Sequence, residues 1–236
     1  MKVLIACEYS GIVREAFTKR GHYAVSCDIL PTEIPGEHYQ GNVLDIIHDG
    51  WDMMIGFPPC THLANAGGVY FEEKRADGRQ REAILFFQKL LSAPIDRIAL
   101  ENPVGILSSD WYIPTHFPDL MPMLKLTRMP RKPDQVIQPF YFGDPVRKYT
   151  CLWTKGLPPL VWRKTDDLFG RKTYTKPNEP KNFMVRKGKY RTGTIRKIYW
   201  QEMLPKKDRA KIKSKTFQGI ANAMAEQWGD YVLHCQ

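Results

Sequence analysis

Long apolar runs are missing from this chain of 236 residues. The stretch Val3-Leu4-Ile5-Ala6-Cys7 is broken by Glu8. It falls far below the roughly 20 apolar residues that a membrane helix needs, and it is too short for the core of a secretory signal. Paired cysteines are missing as well. Cys7, Cys27, Cys60, Cys151 and Cys235 are odd in number and no two have Cys-x-x-Cys spacing, which argues against a disulfide framework and a zinc site. No internal repeat or low-complexity tract occurs. The expectation is a cytoplasmic protein without a metal or a membrane contact, built as one domain or one domain with a small appendage.

Acidic charge is scarce in one half only. Residues 1–120 hold 10 Lys and Arg against 16 Asp and Glu, whereas residues 121–236 hold 25 against 9. Within 163–215 there are 18 basic and 5 acidic residues, interleaved with Phe169, Tyr174, Phe183, Tyr190, Tyr199 and Trp200. Cations mixed with rings suit a phosphate backbone with bases to stack on, and Lys172, Lys187, Arg191, Arg196 and Lys197 are candidate phosphate contacts. A solvated lysine-rich surface is the plainer alternative.

The acidic half alternates between strand and helix patterns. Lys2 to Ala6 predicts a strand, Ser10-Gly11 a turn, and Ile12 to Arg20 a helix, with Val13, Ala16 and Phe17 at helical spacing and Gly21 as its end. Tyr23 to Cys27 predicts a second strand with Asp28 at its end. Gln40-Gly41-Asn42-Val43 suggests a short strand end, and Trp51 to Ile55 another strand. This succession is the βαβ signature, so the expected fold class is α/β with a doubly wound, mostly parallel sheet. Glu72 to Ser92 predicts one crossover helix whose stripe of Ala83, Ile84, Phe87, Leu90 and Leu91 packs on the core. From Asp110 to Pro145 prolines recur, and loops around short strands are expected.

Two loops carry chemistry. Gly56-Phe57-Pro58-Pro59-Cys60 follows one apolar run, and Glu101-Asn102-Pro103 ends the next, Arg97-Ile98-Ala99-Leu100. Strand ends of an open α/β sheet form the ligand crevice, so a thiol and a carboxyl group would face one substrate there. That pairing suits covalent chemistry on an electron-poor ring. A cysteine taken alone is commonly a small buried hydrophobe; the neighbouring carboxylate lifts Cys60 above that, whereas Cys7 and Cys27 sit on apolar strands. Asp28 either caps a turn or holds a ligand. His62 and Asn65 receive no role. Two further stretches are distinctive. In Phe142-Gly143-Asp144-Pro145-Val146-Arg147-Lys148-Tyr149-Thr150-Cys151-Leu152-Trp153 a turn with paired cations enters a strand. In Thr216 to Ala225 the turn Gln218-Gly219 precedes a helical face of Ile220, Ala223 and Met224, with Trp228 beyond.

In this order the four stretches resemble the cytosine-5 DNA methyltransferase family, particularly its compact phage- and prophage-type members, over roughly residues 3–153 and 212–228. Pro58-Pro59-Cys60 matches the family's nucleophile motif, and Glu101-Asn102-Pro103 its Glu-Asn-Val motif, whose glutamate holds the cytosine edge. Cys7-Glu8-Tyr9-Ser10-Gly11 is similar to the Phe-x-Gly-x-Gly loop at the cofactor. Asp28 is placed like the acidic residue on the cofactor ribose, Gly41-Asn42-Val43 like the segment near the adenine, and Ile220-Ala221-Asn222-Ala223-Met224 like the C-terminal Ile-Gly-Asn-Ala-Val.

The resemblance implies a Rossmann-like methyltransferase core over 1–153, a basic recognition segment over 154–211, and a C-terminal helix within 212–236 packed back on the core. It implies S-adenosylmethionine as cofactor, DNA as partner with the target cytosine flipped or single-stranded, and a monomer. Catalysis would fall to Cys60, Glu101 and Arg147. Cofactor contacts would come from Cys7, Glu8, Tyr9, Ser10, Gly11, Asp28, Asn42, Pro58 and Asn222. Substrate contacts would come from Pro59, Asn102 and Lys148 with the basic residues named above. Where the family has Gln-x-Arg-x-Arg, this chain has Val146-Arg147-Lys148-Tyr149. Either cation is available for the cytosine carbonyl oxygen, and its fork of donors favours Arg147.

The chemistry explains these residue types. Carbon 5 of cytosine is a poor nucleophile until a thiolate adds at carbon 6 and ring nitrogen 3 is protonated or strongly hydrogen-bonded. Two alternatives remain: the same thiolate chemistry on a free pyrimidine nucleotide, and a nucleic-acid binder without catalysis. The excess of 18 basic over 5 acidic residues in 163–215 is larger than one nucleotide needs and favours a polymer.

Overall fold

The computed structural model describes residues 1–162, 164–166, 172–174, 183–186, 196–199, 205, 207 and 209–234. In chain order the elements of the core are β1 (Lys2–Ala6), α1 (Ile12–Thr18), β2 (Tyr23–Asp28), β3 (His38–Gln40), β4 (Met53–Gly56), α2 (Phe71–Ala76), α3 (Arg79–Leu91) and β5 (Arg97–Pro103). Then follow α4 (Tyr112–His116), α5 (Met121–Leu124), β6 (Gln135–Ile137) and β7 (Thr150–Lys155). Helices α6 (Arg209–Ser214) and α7 (Gln218–His234) complete it. Seven strands form one mixed sheet in the order β3-β2-β1-β4-β5-β7-β6. Strands β3 through β5 run parallel, and β7 is antiparallel to both β5 and β6. The fold is therefore α/β with a mostly parallel sheet.

Strands covered on both faces must be apolar throughout, and these are. Val3, Leu4, Ile5, Met53, Met54, Ile55, Ile98, Ala99 and Leu100 are all fully buried. On one face α1 and α7 bring Val13, Phe17, Met224 and Trp228 onto the sheet; on the other α3 brings Ile84, Phe87, Leu90 and Leu91. The two largest rings satisfy their N–H groups, Trp228 Nε1 donating to Pro158 O at 2.9 Å and Trp153 Nε1 to Arg131 O at 3.2 Å. Helix α7 is fixed at its start by the 143–145 turn. The Asp144 carboxylate accepts from Gly219 N at 2.8 Å, and a Cβ on Gly219 would fall 2.1 Å from Phe142 O.

Four sequence expectations need correction. The crossover is two helices, because Gly78 at φ +87° ends α2 and the Asp77 carboxylate caps Arg79 N at 3.1 Å; the apolar stripe belongs to α3 alone. Prolines in 110–145 do not enforce loops, since Pro118 and Pro122 occupy first helical turns, where no N–H is needed. The third strand is His38–Gln40, and Asn42 begins a turn after it. Finally, Gln218 and Gly219 are not a turn before the C-terminal helix but its first residues, whereas Glu101, Asn102 and Pro103 stand at a strand end as expected, paired with Leu152, Cys151 and Thr150 of β7.

Within the basic segment, β8 (Lys164–Asp166) pairs antiparallel with β9 (Lys172–Tyr174), and β10 (Phe183–Arg186) with β11 (Arg196–Tyr199). Lys172 thus lies on β9, and Arg196 and Lys197 on β11. Lys187 and Arg191 lie outside the described residues, as do Phe169, Tyr190, Trp200 and Cys235. Among the described residues no helix is long and apolar enough to cross a membrane, and no three His, Cys, Asp or Glu side chains cluster to hold a metal.

Candidate active site

The strand order reverses between β1 and β4, and the crevice of an open α/β sheet lies at the carboxyl ends of the strands at such a point. The loops there are Cys7–Gly11 and Phe57–Cys60. Cys7 takes φ +58°, an uncommon conformation for a residue with a Cβ, and turns the chain out of β1. Glu8 then points inward. It is buried, accepts from Val13 N at 2.7 Å and Arg14 N at 3.2 Å, and receives the Ser10 hydroxyl at 3.0 Å. Burial pushes its carboxyl pKa up, and those donors oppose the shift. Glu8 is thus the cap of α1, and Ser10 its support.

Gly11 likewise serves the interior. At φ +75° it tolerates the left-handed turn, and a Cβ there would meet the Arg14 guanidinium at 2.8 Å. Arg14 is itself buried and donates to Ser26 Oγ at 2.9 Å and Pro35 O at 3.1 Å, tying α1 to the loop beyond β2. No sequence motif marked Arg14; its amphipathic position on a short helix gave no warning of burial.

Tyr9 faces the other way, to the C-terminal segment. Its hydroxyl donates to Lys211 O and lies beside Ser214 Oγ, each at 3.0 Å. Glu33 pairs with Lys211 at 2.7 Å and Lys215 at 2.5 Å, which holds its carboxyl below the ordinary range. Between Cys7–Ser10, Phe57 and Ser214–Thr216 remains a cavity of about 10 Å³. That is room for about one water. This cavity is smaller than S-adenosylmethionine. The other assigned cofactor residues are at strand or helix ends and locally bonded. Asp28 Oδ1 accepts from Leu30 N at 2.9 Å, Asn42 Oδ1 from Leu44 N at 3.0 Å, and Asn222 Oδ1 from Gln218 Nε2 at 2.9 Å.

Cys60 and Glu101 are brought together by stitching their loops. The Asn102 amide donates to Pro58 O at 3.0 Å, Asn65 N to Val104 O at 3.1 Å, and Ile106 N to Leu63 O at 2.9 Å. Ala64 and Gly105 form a β-bridge. Beneath the turn that follows Cys60, buried Lys74 donates to Thr61 O at 2.8 Å and buried Gln80 to His62 O at 3.1 Å. Asn102, only 1% exposed, positions the Pro58 loop. Pro59 and Cys60 are exposed. A Cβ on Gly105 would lie 2.0 Å from Leu63 O. Gly105→Ala is accordingly expected to lower unfolding stability by about 1–3 kcal/mol, the usual range for overpacking. A shifted denaturant midpoint at constant slope checks this.

Electrostatics at the pair depend on Lys148. Its Nζ lies 3.8 Å from Glu101 Oε1 and donates to Lys213 O at 3.2 Å. Burial pushes the Glu101 carboxyl up, while the Lys148 charge and the Thr150 hydroxyl pull it down. The Cys60 thiol is pushed up by desolvation and by the Glu101 charge, and pulled down by Lys148 and Lys213. Donor geometry favoured Arg147 in the sequence; the cation seen at the acid is the adjacent Lys148. Thr150 and Lys213 went unrecognised. Thr150 follows the paired cations on β7 and was discoverable from that register, whereas Lys213 is one lysine in a basic run.

No protein-family model matches the chain, and no curated protein matches it.

Proposed function

We propose that this chain methylates carbon 5 of cytosine in DNA through a covalent adduct at Cys60, with S-adenosylmethionine as methyl donor. The observation that carries this reading is the pair itself. An exposed thiol and a part-buried carboxyl group stand at the strand-end edge of a mostly parallel sheet, on stitched loops, with the Lys148 ammonium 3.8 Å from the carboxyl group. The Rossmann-like methyltransferase assignment of the fold belongs to the same proposal, and the seven-stranded mixed sheet is consistent with it.

In this reading the thiolate adds to carbon 6, and the electron pair displaced toward carbon 5 and ring nitrogen 3 is accepted by a proton held at Glu101. The two titrations are linked, because ionised Glu101 opposes ionisation of Cys60. The productive form is therefore a thiolate beside a neutral acid. The donor, when bound, would supply a methyl group to the carbon 5 so activated; loss of the carbon-5 proton then expels the thiolate, the proton on ring nitrogen 3 returns to Glu101, and the ring regains its aromatic character. The target atom cannot be reached inside a duplex, so the base is flipped or presented on a single strand. The basic, aromatic segment supplies the backbone contacts that a polymer needs.

The test is mass analysis of nucleosides from DNA of cells that express the protein. 5-Methylcytosine is expected with the wild type and not with Cys60→Ser. The cofactor half is tested separately. Saturating S-adenosylmethionine is expected to raise the melting temperature, corresponding to about 2.7 kcal/mol at a hundredfold excess over the dissociation constant. If Asp28 holds the ribose hydroxyls, Asp28→Ala weakens that binding by about 1–3 kcal/mol. An unchanged calorimetric titration in a folded Asp28→Ala protein would retire the assignment.

A further inference from the structure

Beside the Cys60 turn lies a second concave site. It is an open cleft of about 370 Å³, lined among others by Asn65, Ser109, Asp110, Trp111 and Tyr112. The volume falls within the range of about 300–1,000 Å³ common to ligand sites. Trp111 is 61% exposed, although burying a ring of that size would be favourable. Its mounting is firm. The indole centroid lies 5.5 Å from the Tyr112 ring and 6.2 Å from His116, and the Tyr112 hydroxyl donates to Gln80 at 3.0 Å and receives Arg75 at 2.7 Å. An exposed ring on a braced mount is a stacking platform.

The chemistry of the lining decides what stacks there. Among the described residues no lysine or arginine lines the cleft, and Asp110 does, so a phosphate is disfavoured and a group bearing N–H donors is favoured. A nucleobase with an exocyclic amine meets both demands, presenting a face to Trp111 and an amine to a carboxylate. Its place follows from the stitched loops. Asn65 is the fifth residue beyond Cys60, and the chain between them is folded into a turn by Leu63 N and Ala64 N, which donate to Cys60 O at 3.0 and 2.9 Å. Even fully extended, five residues span at most about 17 Å, the reach of a few nucleotides.

We infer that Trp111 and Asp110 form a subsite for a base flanking the target, and hence that the substrate is a polynucleotide instead of a free nucleotide. This rests on the proposed function and deepens it. The experiment is anisotropy titration of a labelled cytosine-containing oligonucleotide. Trp111→Ala is expected to weaken binding roughly 5- to 150-fold, the fold-change equivalent of removing one stacked base. Trp111→Phe is expected to retain most of the affinity. Because no charge is removed, the slope of log affinity against log salt stays that of the wild type. Asp110→Asn is expected to narrow the preference for adenine or cytosine over thymine beside the target. If Trp111→Ala should not fold, the tryptophan fluorescence lost between wild type and Trp111→Phe is expected to quench on oligonucleotide binding. Wild-type binding and a 5-fluorocytosine adduct with unaltered affinity in Trp111→Ala, or no quenching of that difference signal, overturns the subsite alone. A wild type that neither binds nor modifies any cytosine-bearing oligonucleotide overturns the proposed function and the subsite with it.

Discussion

An oligonucleotide carrying 5-fluorocytosine is expected to become covalently attached to the protein in the presence of S-adenosylmethionine, and Cys60→Ser is expected to abolish the adduct. Fluorine on carbon 5 cannot leave as the proton would, so elimination of the thiol stalls. The site of attachment follows from exposure and ionisation. Cys60 is exposed; desolvation and the Glu101 charge push its thiol up, and Lys148 and Lys213 oppose that shift. Cys27 and Cys151 are buried, with thiols pushed up by desolvation to about 12. Cys7 is half-buried and pushed up further by burial and by Asp28. Of these four only Cys60 is exposed to a substrate, so Cys7→Ser and Cys27→Ser are expected to keep the adduct. Peptide mass mapping to any cysteine other than Cys60 would falsify the nucleophile assignment.

Glu101→Gln is expected to slow adduct formation by about 10²–10³ while leaving DNA affinity in place, since the acid is needed only as charge develops on the ring. The same substitution has a second effect of opposite sign. Glu101's charge raises the Cys60 pKa, so its removal should make Cys60 more reactive toward iodoacetamide at neutral pH, and Lys148→Met should make it less reactive. Faster alkylation in Glu101→Gln beside slower alkylation in Lys148→Met is a pattern that misfolding, which speeds alkylation in either variant, does not produce. Unaltered alkylation in both variants would dissociate Glu101 and Lys148 from the thiol.

A stability measurement checks the ionisation of Glu101 independently. Its pKa is raised in the folded protein, so the fold retains a proton that the unfolded chain releases near the ordinary carboxylate value. Stability from this group is full below that value and is lost as pH rises through the folded one. Wild type should therefore lose stability relative to Glu101→Gln across that window. Glu8, raised in the same direction, contributes equally to both proteins and cancels.

Much of the fold was legible in local patterns. Apolar runs such as Val3–Ala6 and Ile98–Leu100 can only be strands covered on both faces, and Ile84, Phe87, Leu90 and Leu91 recur at helical spacing on α3. Legibility failed where a neighbour overrode a local signal. Glu101 reads as standing at a strand end, but nothing nearby in sequence names the strand it pairs with. Antiparallel pairing with Leu152, some fifty residues on, makes it part of the strand and fixes its direction. The glycine-containing loop after β1 reads as a ligand loop. The buried Arg14 guanidinium and the inward turn of Glu8 make it a packed helix cap.

The sequence by itself determined the strand–helix–strand opening, the strand that leads to Cys60, the apolar stripe of α3, the positions of one thiol and one carboxyl group at neighbouring strand ends, and the division into an acidic and a basic half. Those properties belong to residue type and spacing, which every conformation of the chain shares. Only the tertiary structure decided that Asn102 and Gly105 join the two loops, that Lys148 stands at the acid, and that Ser214–Thr216 lie across the first loop. These are contacts between segments far apart in the chain, and no local pattern encodes them. They exist because two strands adjacent in the sheet end side by side.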